Sequence, residues 1–157
     1  MEYYSPPESS PFQLIPNHTV APNFSLLNLN GDTVTLEELK GKLVLIDFWY
    51  TSCYPCVKAM PYLEDLHQKY KNKGLVVLGI NPVDTNDLSE FLNFNGISYS
   101  MVLGNSNVVE AYSVSSYPSL YLIDKTGEII FSEIGFDDNT ASTLDSLIGF
   151  GLTQGKS

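Results

Sequence analysis

The chain has 157 residues, 43% of them hydrophobic and 17% charged, which suits one folded domain with a substantial core. Its formal net charge is −10, and all eight basic residues are lysines. That balance speaks against nucleic acid or an anionic membrane surface as partner, since both need basic patches, and no apolar run approaches the roughly 20 residues of a membrane-spanning helix.

The opening, MEYYSPPESSPF, has neither a basic n-region nor an apolar h-region, so it does not read as a secretory leader. Residues 1–20 carry Pro6, Pro7, Pro11 and Pro16 among serines and form an extended or disordered lead-in. A domain is expected over 21–157. Phe24 to Leu29 is a strand, Asn30-Gly31 a hairpin turn, and Thr33-Val34-Thr35 the returning strand. Thr35 and Glu38 have the spacing of a capping box at a short helix that Gly41 ends. Leu43 to Trp49 is a nearly unbroken apolar run, the mark of a buried central strand, interrupted only by Asp47.

The chain's only cysteines follow a short loop, Tyr50-Thr51-Ser52. Cys53-Tyr54-Pro55-Cys56 opens a helix predicted over 55–73. Val57, Met60, Leu63, Leu66 and Tyr70 recur on its core face, Pro61 should kink it, and Gly74 stops it. Beyond lie a strand over 75–80, a break at Asn81-Pro82, a helix over 87–95, a short strand over 101–103 and a helix over 107–112. The strands 119–123 and 128–132 flank the turn Asp124-Lys125-Thr126-Gly127 as an antiparallel hairpin, and a helix over 140–150 closes the chain. The order implies an α/β fold, a mixed sheet with helices on both faces and one antiparallel edge.

Two cysteines separated by two residues, between a strand and a helix, are the pattern of a redox dithiol. At a helix start, unpartnered N–H groups and the helix dipole stabilise a thiolate. Cys53 is therefore the attacking sulfur and Cys56 the resolving one, one turn further in. Pro55 suits the first turn, where its missing N–H costs nothing. Two blander readings stand beside this one. A structural zinc site needs four ligands, and neither His18 nor His67 lies at ligand spacing from the pair. A purely structural disulfide across so short a loop gains little closure entropy.

Taken together, these motifs resemble the thioredoxin superfamily, and within it the TlpA/ResA-like thiol-disulfide oxidoreductases. The likeness covers roughly 21–150. It rests on Ala21-Pro22-Asn23-Phe24 with the hairpin, on the strand ending at Cys53-Tyr54-Pro55-Cys56, on Pro61, on Tyr117-Pro118, and on Leu122 to Gly127. It implies a thioredoxin-like fold with an N-terminal β-hairpin extension. By position, Pro118 matches the cis-proline facing the dithiol and Asp47 the buried acid that takes the Cys56 proton. Trp49, Tyr54, Pro55, Tyr117 and Pro118 become expected substrate contacts. The resemblance further implies protein disulfide substrates, an upstream thiol reductant, no metal or organic cofactor, no membrane insertion by this chain, a monomer, and an extracytoplasmic or periplasmic setting in a bacterium, with a cytoplasmic one left open. Two rivals share the scaffold. A peroxiredoxin-like peroxidase looks for Pro and Thr or Ser where Ile46 and Tyr50 stand, and for an arginine. A Cu(I) metallochaperone would hold the metal between the two thiolates.

Overall fold

The computed structural model describes residues 13–153. Its centre is a five-stranded sheet of β3 (Leu43–Phe48), β4 (Leu75–Asn81), β5 (Ser100–Leu103), β6 (Ser119–Ile123) and β7 (Ile129–Ile134), in the order β5-β4-β3-β6-β7. The first three strands are parallel, β3 and β6 pair antiparallel, and so do β6 and β7. The antiparallel half is thus two ladders deep rather than a single edge, because the chain returns through β6 before turning back into β7. Every residue of β3 and β6 is buried. Covered on both faces, these strands show continuous apolar runs instead of an alternation.

One face packs against α1 (Tyr54–Tyr70), α2 (Ser89–Phe94) and α4 (Asp138–Thr153), through Leu43, Leu45 and Trp49 of the β3 side and Met60, Leu63, Leu92, Leu144 and Ile148 of the helices. The other face carries α3 (Ser106–Ala111) and the hairpin of β1 (Ser25–Leu27) and β2 (Thr33–Thr35). Here Phe48 meets the rings of Tyr112 and Tyr121 at 5.6 and 6.5 Å. Both hydroxyls find partners, as buried tyrosines require. Tyr112 donates to the Pro22 carbonyl at 2.5 Å, while Tyr121 accepts from the Ile15 N–H at 3.0 Å.

The first part of the lead-in, 1–12, lies outside the described residues. From Leu14 the segment is docked on the second face. The His18 N–H reaches the Ile129 carbonyl at 2.7 Å, Val20 bridges Glu128 at the start of β7, and Asn28 bridges Val102 on β5. One segment therefore crosses the second face and touches both edges of the sheet.

Several local expectations hold in detail. Gly31 takes φ +88° in the hairpin turn. The capping box closes in both directions, Thr35 N–H to Glu38 at 3.0 Å and Glu38 N–H to the Thr35 hydroxyl at 3.3 Å, although what it starts is one 3₁₀ turn, Glu37–Leu39. Val57 is only half-buried, and Ala59 takes its expected place in the interface. The second and third helices are short, six residues each.

Candidate active site

Cys53 is the N-cap of α1 and Cys56 its third residue, bonded to each other with Cα atoms 5.2 Å apart. The Cys53 sulfur accepts the Cys56 N–H at 3.3 Å, the hydrogen bond that a capping side chain makes. Pro55 fills the first turn, as its fixed φ predicts. Cys56 has no exposed surface and Cys53 retains 5%. Of the two, Cys53 is thus the residue with surface open to a partner molecule.

The loop before Cys53 is held from two sides. Tyr50 meets Tyr117 edge-on, ring centroids 5.2 Å apart. This contact joins the dithiol loop to Tyr117-Pro118, whose peptide bond is cis. Register makes the juxtaposition inevitable, for Phe48 lies opposite Ser119 in the β3–β6 ladder, so the next residue along each path falls at the same end of the sheet. On the other side, Thr51 is anchored to Asp84 through its N–H at 2.8 Å and its hydroxyl at 2.9 Å.

Asp47 points from β3 toward the α1 face, as alternation with Leu45 and Trp49 dictates. It is fully buried, and neither carboxylate oxygen has a hydrogen-bond partner among the described residues. Burial pushes its pKa up from 3.8 to about 7. The other buried polar atoms without partners there are Trp49 Nε1, Tyr99 Oη and His67 Nδ1. Tyr99 is itself raised well above its ordinary value, by burial first and then by the Asp47 and Glu64 carboxylates. Directly across the parallel ladder from Asp47 lies Gly79, where a Cβ would run into the Met101 thioether and sit 3.1 Å from Trp49 Nε1.

The expected substrate contacts divide. Tyr54 is 72% exposed, with Lys58 Nζ 5.6 Å from its ring centroid, and Pro55 is exposed beside it. Tyr117 is half-buried at the loop junction and Pro118 is buried. Trp49 is the correction. It has no exposed surface and stacks on Phe91 at 5.8 Å. The strand alternation that brings Asp47 inward brings Trp49 inward too, so it packs the core and offers no surface to a substrate. Sequence reasoning missed Asp84 and Tyr99. Asn81-Pro82-Val83-Asp84 reads only as a strand break, though the Asn81 side chain accepting from the Val83 and Asp84 N–H groups is an Asx turn with a recognisable signature.

A profile of the AhpC/TSA family matches residues 18–132, which span the hairpin, the dithiol and the cis-proline loop. The chain belongs to this family. Its relatives include the thiol-disulfide oxidoreductase ResA of Bacillus anthracis, 36% identical over 117 residues that make up 73% of this chain and 68% of that protein. The ResA of Bacillus subtilis strain 168 is 34% identical over 112 residues, 70% of this chain and 63% of that one. Among solved structures, a candidate thiol:disulfide interchange protein DsbE from Chlorobium tepidum superposes with a TM-score of 0.81 at 28% identity, over 88% of this chain and 99% of that one. The thioredoxin domain of a thiol-disulfide oxidoreductase from Bacteroides vulgatus gives 0.77 at 28% identity, over 85% and 99%. As an AhpC/TSA member, the chain has the thioredoxin-like fold with its N-terminal hairpin. Among the described residues, no helix is long and apolar enough to cross a membrane, and no group of three or more His, Cys, Asp and Glu side chains gathers as a metal site.

Proposed function

We propose that this protein is a thiol-disulfide oxidoreductase that reduces disulfides in protein substrates. The observation that carries the reading is the Cys53–Cys56 pair at the start of α1, above a sheet face that holds a buried, unpartnered Asp47. In the reduced form the Cys53 thiolate, stabilised by the helix N-terminus, attacks one sulfur of a substrate disulfide. That S–S bond breaks, a mixed disulfide with Cys53 forms, and the first substrate sulfur leaves as a thiolate. The Cys56 thiol then gives its proton to Asp47 and attacks the Cys53 sulfur, which releases the second substrate thiolate. Two electrons have passed to the substrate, and an external thiol reductant returns them to the Cys53–Cys56 disulfide. The cycle needs no metal or organic cofactor.

Tyr54 and Pro55 within the motif, and the Tyr117-Pro118 loop joined to it through Tyr50, are on this reading what a substrate chain would meet. On this reading the protein works in an extracytoplasmic setting, as a monomer, on the disulfides of folded or unfolded proteins. The peroxidase reading lacks its chemistry, since Tyr50 packs on Tyr117 where a hydroxyl-bearing small residue would be needed. Copper titration of the reduced protein separates the metallochaperone reading, which requires tight binding of one Cu(I) per chain.

The test is a pair of substitutions assayed by turbidimetric insulin reduction. Cys53→Ser should abolish turnover, and Cys56→Ser should accumulate a mixed disulfide visible by mass. A Cys53→Ser protein that still reduced insulin would end this assignment.

A further inference from the structure

The Asp84 carboxylate accepts three hydrogen bonds, from the Thr51 N–H at 2.8 Å, the Thr51 hydroxyl at 2.9 Å and the Asn81 amide at 2.9 Å. Asn81 ends β4 with 1% exposure, and its own Oδ1 holds the Val83 and Asp84 N–H groups at 3.0 and 2.9 Å. A residue anchored in the sheet thus fixes Asp84, and Asp84 fixes the loop whose Tyr50 carbonyl accepts the Cys53 N–H at 3.2 Å. All three partners of Asp84 are donors, so the group is held as the anion. Although burial opposes it, the bonds from Asn81 and Thr51 keep its pKa below the ordinary value. Neither ion pair found among the described residues, Lys40–Glu37 and Lys69–Asp145, includes it. Lys58, near the start of α1, sits over the Tyr54 ring.

We propose that Asp84 is a positioning residue that also sets the redox poise: it clamps the Tyr50–Ser52 loop and keeps a negative charge on Thr51, two residues before the nucleophile, so that the couple is more reducing than the helix N-terminus alone would make it. A thiolate at Cys53 stabilises the reduced form, and a neighbouring carboxylate works against that thiolate. The effect opposes the helix dipole and pushes electrons outward, toward substrates. The inference rests on the reductase reading and gives it a residue that determines direction.

The experiment compares wild type with Asp84→Asn, Asp84→Glu and Thr51→Val. Reduction potentials come from equilibration in glutathione buffers at a pH above the Cys53 pKa, and the Cys53 titration from thiolate absorbance. Asp84→Asn should favour the reduced form by about threefold, a rise of about 14 mV at 29.6 mV per tenfold. Its Cys53 should titrate lower, and both differences should shrink as salt screens the charge. Asp84→Glu, which keeps the charge, and Thr51→Val, which loses only the hydroxyl bond, should stay at the wild-type potential. An Asp84→Asn potential equal to wild type overturns the proposal, as does an equal shift in Thr51→Val that salt leaves untouched. Loss of insulin reduction in wild type itself would instead defeat the reductase reading.

Discussion

Asp47 is the residue at which cost and use meet. A carboxyl with no exposed surface and no partner is expensive to ionise, and its pKa of about 7 expresses that cost. The folded state holds the proton more tightly than the unfolded chain does. The stability that Asp47 contributes is therefore greatest below the ordinary value of 3.8 and is lost as pH rises through the window up to about 7, by on the order of 4 kcal/mol. The urea midpoint of wild type should fall relative to that of Asp47→Asn as pH rises across that window; parallel profiles would refute the burial account. The same group must be ionised to take a proton. In stopped-flow measurements of mixed-disulfide resolution, the wild-type rate should climb with pH through about 7. Asp47→Asn should be slower by about a hundredfold, with no such climb. An unchanged rate in this variant would remove Asp47 from the mechanism.

The elements show why the site sits where it does. β3 delivers Asp47 and the dithiol loop, β6 brings Tyr117-Pro118 alongside, and β4 supplies Asn81 and the glycine that lets Met101 and Trp49 close over the sheet. Gly79→Ala should cost about 1–3 kcal/mol, because the new methyl displaces the Met101 side chain in a packed interior. Chemical denaturation measures this, and a change within a few tenths would mean that the region repacks freely. Much of this scaffold was legible in the sequence. The apolar runs of β3, β4 and β6, the Asn30-Gly31 turn and the helical period after Cys56 are local patterns, and local patterns survive folding. Asp47 and the cysteines were legible as well, as a polar residue in an apolar run and a spacing with known chemistry. The Thr51–Asp84 clamp and the Tyr99 phenol near Asp47 were not, since each joins residues more than thirty positions apart through the sheet. Trp49 was misjudged because a bulky aromatic beside a motif looks like a contact surface until strand alternation decides its face.

At the scale of the whole molecule, charge governs encounters. With 18 acidic side chains against eight lysines, the chain presents a negative field to any approaching partner. A basic peptide disulfide should be reduced with a higher kcat/KM than an acidic one of equal length, and the two values should converge as salt shortens the screening length to a few ångströms. Equal values at low ionic strength would show that the field around the dithiol is neutral despite the composition.

The segment that leads into the hairpin has a consequence for association between molecules. The edges of an open sheet carry backbone N–H and C=O groups that can recruit a strand from another chain. Here one stretch of polypeptide, running from His18 to Asn28, engages β7 at its start and β5 near its middle. A truncation that removed it would unmask two sticky ladders at once. Such a molecule could add a neighbour on either side and grow into a linear polymer.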